Sequence, residues 1–381
     1  MPGLDLLRAL AILQVVHQHG WAHIRPYFPH WVERLLLADG VNLFFVLSGF
    51  LIGGILLDML AAEGASGSAI RRFWMRRWLR TLPCYYLVLG LLFGAALLNW
   101  IAPPPRLRMY ILFVQNFAWP HPPFFGEAWS LSIEEWFYLL TPIGLWVACR
   151  LAPRADRRIL LVICALVMIA VSTAYRAALP VPAEVFANGF WDASLRKVVL
   201  GRLDAIGYGV LGACLARLYP QHWRGGARGL LMLGVALLAM DRILWASASQ
   251  HLFYVNNICL ALMPVAVLMI LPAASAWRGA PLPGWLLAAV GFISRISYPM
   301  YLIHHMLVLL MLMPWLFGPR MFHNGNATGW LYYGAFFGIT IVLAWLMHRC
   351  WELPFMRLRD RFFPNPSHAT AAVPGKPAAA G

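Results

Sequence analysis

Residues 40–56 read GVNLFFVLSGFLIGGIL, a run without one charged side chain. An α-helix rises about 1.5 Å per residue, so roughly 20 such residues cross the ~30 Å hydrocarbon layer of a bilayer. Asn42, Ser48 and the glycines do not argue against a span, because small residues let membrane helices approach closely. We assign Gly49 and Gly53 to such packing. The pattern recurs along the chain, with apolar runs at about 3–19, 81–101, 128–149, 159–178, 198–216, 229–247, 254–272, 296–315 and 328–348. Of the 381 residues, 61% are hydrophobic and 12% charged. A soluble domain carries roughly twice that charge.

The composition therefore predicts an all-α fold, a polytopic transmembrane helix bundle of about ten spans. Stretch 283–294 reads as an interfacial helix or a partial eleventh span. One membrane domain is expected over 1–356. The Pro- and Ala-rich tail, 357–381, is expected to be cytoplasmic and disordered. The first run lacks a small-residue cleavage site and is read as a retained span.

The formal net charge is +15 and comes almost wholly from arginine, since Lys197 and Lys376 are the only lysines. In a membrane chain, arginines cluster in cytoplasmic connections. Connections 59–80, 150–158 and 217–228 and the stretch after the last run are arginine-rich, which places both termini in the cytoplasm. Arg196 and Lys197 fall on the opposite side and do not fit. No basic helix is interleaved with base-stacking aromatics, so nucleic acid is not an expected partner. The six cysteines form no C-x-x-C pair and read as buried thiols. His17 and His19 lack a third and fourth ligand nearby, so no metal site is expected.

Ionisable residues inside a span are costly and are functional candidates by default. Arg8 and His19 are eleven positions apart, about three helical turns, so both lie on one face, separated by roughly 16 Å. His17 points to the opposite side. Arg77 and Arg80 are neighbours on a helix and can fork onto phosphate oxygens, or serve only lipid headgroups and topology. Ser130 and Glu134 share a face of the fourth run, and a carboxylate there can orient a histidine. Of Glu134 and Glu135, one is expected to reach water at the interface. Asn42, Asp204, Tyr301 and His304 are further polar candidates, each equally able to act as hydrogen-bonding glue between helices. His304 and His305 together also suit a proton-relaying transporter.

Six blocks occur in one order: GLDLLRALAILQVVHQHG (3–20), GVNLFFVLSGFLI (40–52), RRWLRTLPCYY (76–86), WSLSIEEWFYLL (129–140), GRLDAIGYG (201–209) and ISYPMYLIHH (296–305). In this order, with their R-x10-H and R-x-x-R spacings, they resemble the bacterial membrane acyltransferase-3 family. The resemblance covers about residues 3 to 356. It implies transfer of an acyl group, acetyl by family default, from cytoplasmic acyl-CoA to a hydroxyl of a cell-envelope glycan or a secreted small molecule. It implies a location in the bacterial inner membrane and acyl-CoA as co-substrate, with no permanently bound cofactor. By the resemblance, His19 is the essential histidine and general base, Glu134 and Ser130 assist it, and Arg77 and Arg80, with Arg8, serve acyl-CoA. The family's second block usually carries an aspartate where this chain has Asn42, which puts an acidic role there in doubt. The competing expectation is a membrane transporter or exporter of a glycan precursor or metabolite, which would move its substrate without consuming acyl-CoA.

Overall fold

The computed structural model describes residues 1–29, 32, 39–179, 184, 191–248, 251, 253–318 and 327–364. Most of the expected tail, from residue 365 onward, lies outside them, as does much of connections 20–39, 179–197 and 316–327. Among the described residues the protein is helical, with no strand. The long helices are α1 (Pro2–Gly20), α2 (Gly40–Ala62), α3 (Gly67–Leu97), α4 (Ala128–Leu151), α5 (Arg157–Ala178), α6 (Leu203–Leu218), α7 (Ala227–Ala248), α8 (Tyr254–Ala276), α9 (Gly284–Phe317) and α10 (Thr328–Phe362).

Six of these, α2, α3, α5, α8, α9 and α10, are long and apolar enough to cross a membrane. The other four are polar or short for this measure. Helix α1 carries Asp5 and Arg8, α4 carries Glu134 and Glu135, α7 carries Asp241 and Arg242, and α6 has 16 residues. The protein is a multi-pass helical membrane protein; six spans are supported directly, where the sequence suggests about ten.

Two boundaries differ from expectation. Stretch 283–294 is not a separate element: from Gly284 onward it forms the opening turns of the continuous helix α9, with Pro283 as its N-cap. Helix α3 starts at Gly67, well before the apolar run at 81, so Arg77 and Arg80 lie on a helix as their spacing predicts. Ser66 caps it, its hydroxyl accepting from the Ala69 N–H at 3.2 Å.

Helix α2 packs chiefly on α6, and the small residues explain how. A Cβ on Gly49 would stand 2.0 Å from the Ile206 carbonyl oxygen, and one on Gly209 2.1 Å from that of Val46. The backbones touch there, as close-packed membrane helices do. Gly53 meets Ala213 in the same seam. Helix α1 lies against α2 and α9.

Asp204 is not in that interior space. Its carboxylate pairs with Arg176 of α5 at 2.7 Å, both side chains fully buried. Arg176 also donates to the Gly201 carbonyl at 2.6 Å. The candidate thus joins α5 to α6. Removing one partner of a buried pair strands the other charge and typically costs about 3–5 kcal/mol. Asp204→Ala is expected to lower the unfolding temperature of the solubilised protein sharply; an unchanged unfolding temperature would contradict this assignment.

Candidate functional site

Helices α1, α2, α4 and α9 contribute to two adjoining cavities; α3 adds to the first, and stretch 191–197 with α7 and α8 adds to the second. On α1, Arg8 lines the first and His19 the second; on α9, Ser297 and Tyr298 line the first and His304 and His305 the second. The cavities measure about 410 and 510 Å³. Val41 and Tyr301 line both.

The first cavity is cationic. Arg8, Arg77 and Arg80 face it with a single carboxylate, Glu134. The three-residue spacing on α3 brings Arg77 and Arg80 to the same side, and α1 adds Arg8 from across the space. The Arg77 Nε–H is buried and lacks a hydrogen-bond partner among the described residues. A buried donor without a partner is costly, and an anion would relieve it. Glu134 accepts from the Tyr138 hydroxyl at 3.2 Å, and that hydroxyl also meets Ser48 at 3.2 Å. Glu134 therefore stands among the arginines and does not meet His19. Of the two glutamates, Glu135 is buried and accepts from the Thr81 hydroxyl at 2.8 Å, while Glu134 is part-exposed to the cavity.

The second cavity holds the histidines. His304 Nδ1 stands 2.8 Å from the Tyr301 carbonyl oxygen and 3.2 Å from that of Met300. Carbonyls only accept, so Nδ1 carries the proton and Nε2 is bare. That Nε2 lies 3.2 Å from His19 Nδ1, which is also 2.9 Å from the Val15 carbonyl oxygen. His19 Nδ1–H thus donates to both acceptors. The partners assign one tautomer, in which His19 Nε2 keeps its lone pair. The His305 ring lies tilted against that of His19, centroids 4.5 Å apart. His17 faces away and meets the Tyr333 hydroxyl at 2.7 Å. Ser130 does not touch His19; its hydroxyl pairs with that of Tyr301 at 2.6 Å.

Residues 1–349 match the family model described as an acyltransferase domain. The chain belongs to this acyltransferase family. Among curated proteins it is 33% identical over 192 residues to a Bacillus subtilis protein provisionally named a peptidoglycan O-acetyltransferase, covering 45% of this chain and 28% of that one. It is 30% identical over 164 residues to the peptidoglycan O-acetyltransferase OatA of Listeria monocytogenes, covering 39% of this chain and 24% of that one. The aligned stretch therefore spans about a quarter of the length of these relatives. No solved structure matches the chain.

In this family member the second cavity is also lined by Asp39, Asp192, Arg196 and Lys197. Arg196 reaches Asp39 at 3.1 Å and Asp192 at 2.6 Å, and Lys197 reaches Asp192 at 2.6 Å. The two cations on the wrong side of the charge pattern are thus neutralised internally. Burial alone would raise the Asp192 carboxyl, but Arg196 and Lys197 bring it down to about 2. Burial also opposes ionisation of Asp39, and the Arg196 charge outweighs it, holding that carboxyl below its ordinary value. Asp39 caps α2 by accepting from the Val41 N–H at 3.0 Å. Asn42 links the two sides: it donates to Asp39 at 2.9 Å and accepts from Arg202.

Glu127 is the other addition. It precedes α4 and is 3% exposed. Helix α9 changes at His304 from α to the wider π pattern, which lasts to Leu312. Such a change disturbs the backbone pairing. Glu127 Oε1 takes up the two N–H groups there, from His305 at 3.2 Å and Met306 at 2.9 Å. Oε2 has no hydrogen-bond partner among the described residues. Burial raises the carboxyl to about 7, against the pull of those N–H groups. The folded value lies above the ordinary 4.5, so ionisation works against the fold. Wild-type stability should fall as pH rises from about 4.5 through about 7. Glu127→Gln cannot ionise and should not share that loss. Its unfolding temperature is expected to gain on the wild type between about pH 5 and pH 8; parallel pH curves would show that Glu127 does not titrate there.

Proposed function

We propose that this chain is an integral membrane O-acyltransferase of the bacterial cytoplasmic membrane. It moves an acyl group, acetyl in the simplest case, from cytoplasmic acyl-CoA to a hydroxyl of a cell-envelope glycan or a secreted small molecule. The observation that carries the reading is His19 Nε2, left basic by His304 in a cavity that abuts a second one lined by three arginines. The relatives named as O-acetyltransferases support the same chemistry.

A hydroxyl is a poor nucleophile near neutral pH, and a placed base contributes typically ~10²–10⁴-fold. In this reading Arg8, Arg77 and Arg80 hold the CoA phosphates by charge-assisted bonds, with the arginine-rich end facing the cytoplasm. The acceptor enters the histidine cavity from the other side. Its hydroxyl gives its proton to His19 Nε2 as the oxygen bonds to the acyl carbon. The C–S bond breaks, and the CoA thiolate takes up the proton from His19. His304 steadies the imidazolium through the Nδ1–H bond. Ser130 is placed to serve the acyl oxygen at the boundary between the cavities, and Glu134 orders the arginines.

The test is labelled-acetate tracing in a bacterial host that expresses wild type or His19→Ala at equal membrane levels. Label is expected on an alkali-labile ester in envelope glycan, lipid or secreted fractions for the wild type only. Equal label in both would remove His19 as the base. Substrate flux with no acyl-CoA consumed would turn the reading to a transporter.

A further inference from the structure

We propose that Tyr301 closes the passage between the arginine cavity and the histidine cavity, and so selects a bound hydroxyl over water as acceptor. The inference rests on the reading that acyl-CoA enters the arginine cavity. Tyr301 and Val41 are the residues common to both linings. Val41 is a short β-branched side chain in the first turn of α2 and has little freedom to move. Tyr301 is different: it is a long ring hinged on α9 and held at its tip.

That tip bridges the boundary. The hydroxyl meets Ser130 Oγ, on the arginine side, at 2.6 Å, and it donates toward the Glu127 carbonyl, on the histidine side, at 3.3 Å. Ser130 points to the same carbonyl at 3.3 Å. The ring lies between His304, 5.8 Å away, and Phe44, 6.3 Å away. An acyl group anchored among the arginines meets His19 only when the ring swings off Ser130. Until then the thioester is kept from water on the histidine side, where a general base already stands. Excluding water from a reactive acyl donor is a recognised use of such closure.

The reaction that the ring suppresses is hydrolysis. The water oxygen bonds to the acyl carbon and the C–S bond breaks. A water proton passes through His19 to the thiolate, which releases acetate and free CoA thiol. The experiment supplies purified protein with acetyl-CoA and no acceptor, and follows thiol release. Tyr301→Ala is expected to hydrolyse acetyl-CoA at least tenfold faster than wild type. Tyr301→Ala with His19→Ala should return to the wild-type rate. A gained activity cannot come from failure to fold. The proposal is overturned if Tyr301→Ala binds labelled CoA as wild type does but releases no more thiol, or if the leak survives loss of His19. If Tyr301→Ala does not bind CoA, Tyr301→Phe decides, since it keeps the ring and removes the hydroxyl bond. A threefold or greater rise supports the proposal, and an unchanged rate overturns it. A wild type that binds no CoA would instead overturn the donor reading, and this inference with it.

Discussion

His19→Ala is expected to lower acyl transfer by about 10²–10⁴-fold, the range typical for loss of a placed base, while leaving CoA binding near wild type. The separation follows from distance. His19 stands in the histidine cavity, and the arginines proposed to hold the donor line the other one. Replacing His304 should give a smaller loss. Alanine there removes the acceptor of the His19 Nδ1–H bond, yet Val15 still offers its carbonyl at 2.9 Å. Glutamine at 304 can restore an acceptor and should recover part of the rate. Transfer rates at saturating donor, measured on equal amounts of each variant, check the ranking. A His304 variant as inactive as His19→Ala would mean that the proton path runs through His304 itself.

The second large effect is expected on donor binding. Each charge-assisted hydrogen bond contributes about 1.5–3 kcal/mol, or roughly 10- to 150-fold in affinity. Arg77→Ala with Arg80→Ala should therefore raise the KM for acyl-CoA by at least about 100-fold, with a smaller change in rate at saturation. The effect should shrink as salt rises, because part of it is longer-range attraction between the cavity and the phosphates, which salt screens. Glu134→Gln tests the same cavity from the other side. It removes the one carboxylate among the three arginines, so CoA should bind as tightly or more tightly. A large loss of transfer in Glu134→Gln with donor binding intact would return Glu134 to direct chemistry.

The membrane character of the fold was legible because a span is a compositional event: about 20 apolar residues in a row have few other uses. Helical phase carried the next step. Arg8 and His19 share a side of α1, and His17 points away to Tyr333, as eleven- and nine-residue spacings require. Phase says which way a side chain faces, but not what faces it. Glu134 was therefore paired in the sequence reading with the wrong partner. It shares a side of α4 with Ser130, but that side runs toward the arginine cavity as one descends the helix. Asp204 likewise looked like an intramembrane functional acid until α5 supplied Arg176.

Glu127 and Asp39 escaped notice for a different reason. Both stand at a helix cap, just outside an apolar run, where a carboxylate is unremarkable in sequence. Each was marked indirectly. Arg196 and Lys197 broke the charge asymmetry of the connections, and a cation on the wrong side calls for an internal partner. Asp39 and Asp192 are those partners. Asn42 departs from the expected acidic pattern, and the carboxylate beside it is Asp39, to which it donates at 2.9 Å. For Glu127 the only cue was its place beside the WSLS block. Its importance depends on the change of helical pitch at His304, which local propensity does not announce.

On the proposed mechanism, donor binding and proton abstraction occupy two adjoining cavities on one path. The most direct test measures labelled-CoA binding and ester formation side by side in wild type, His19→Ala and the Arg77→Ala, Arg80→Ala double variant, in membranes holding the acceptor fraction found by acetate tracing. The account predicts that His19→Ala binds CoA and forms no ester, and that the arginine variant fails at binding. If His19→Ala forms ester at the wild-type rate, or if the arginine variant binds CoA undiminished, the two-cavity path is wrong.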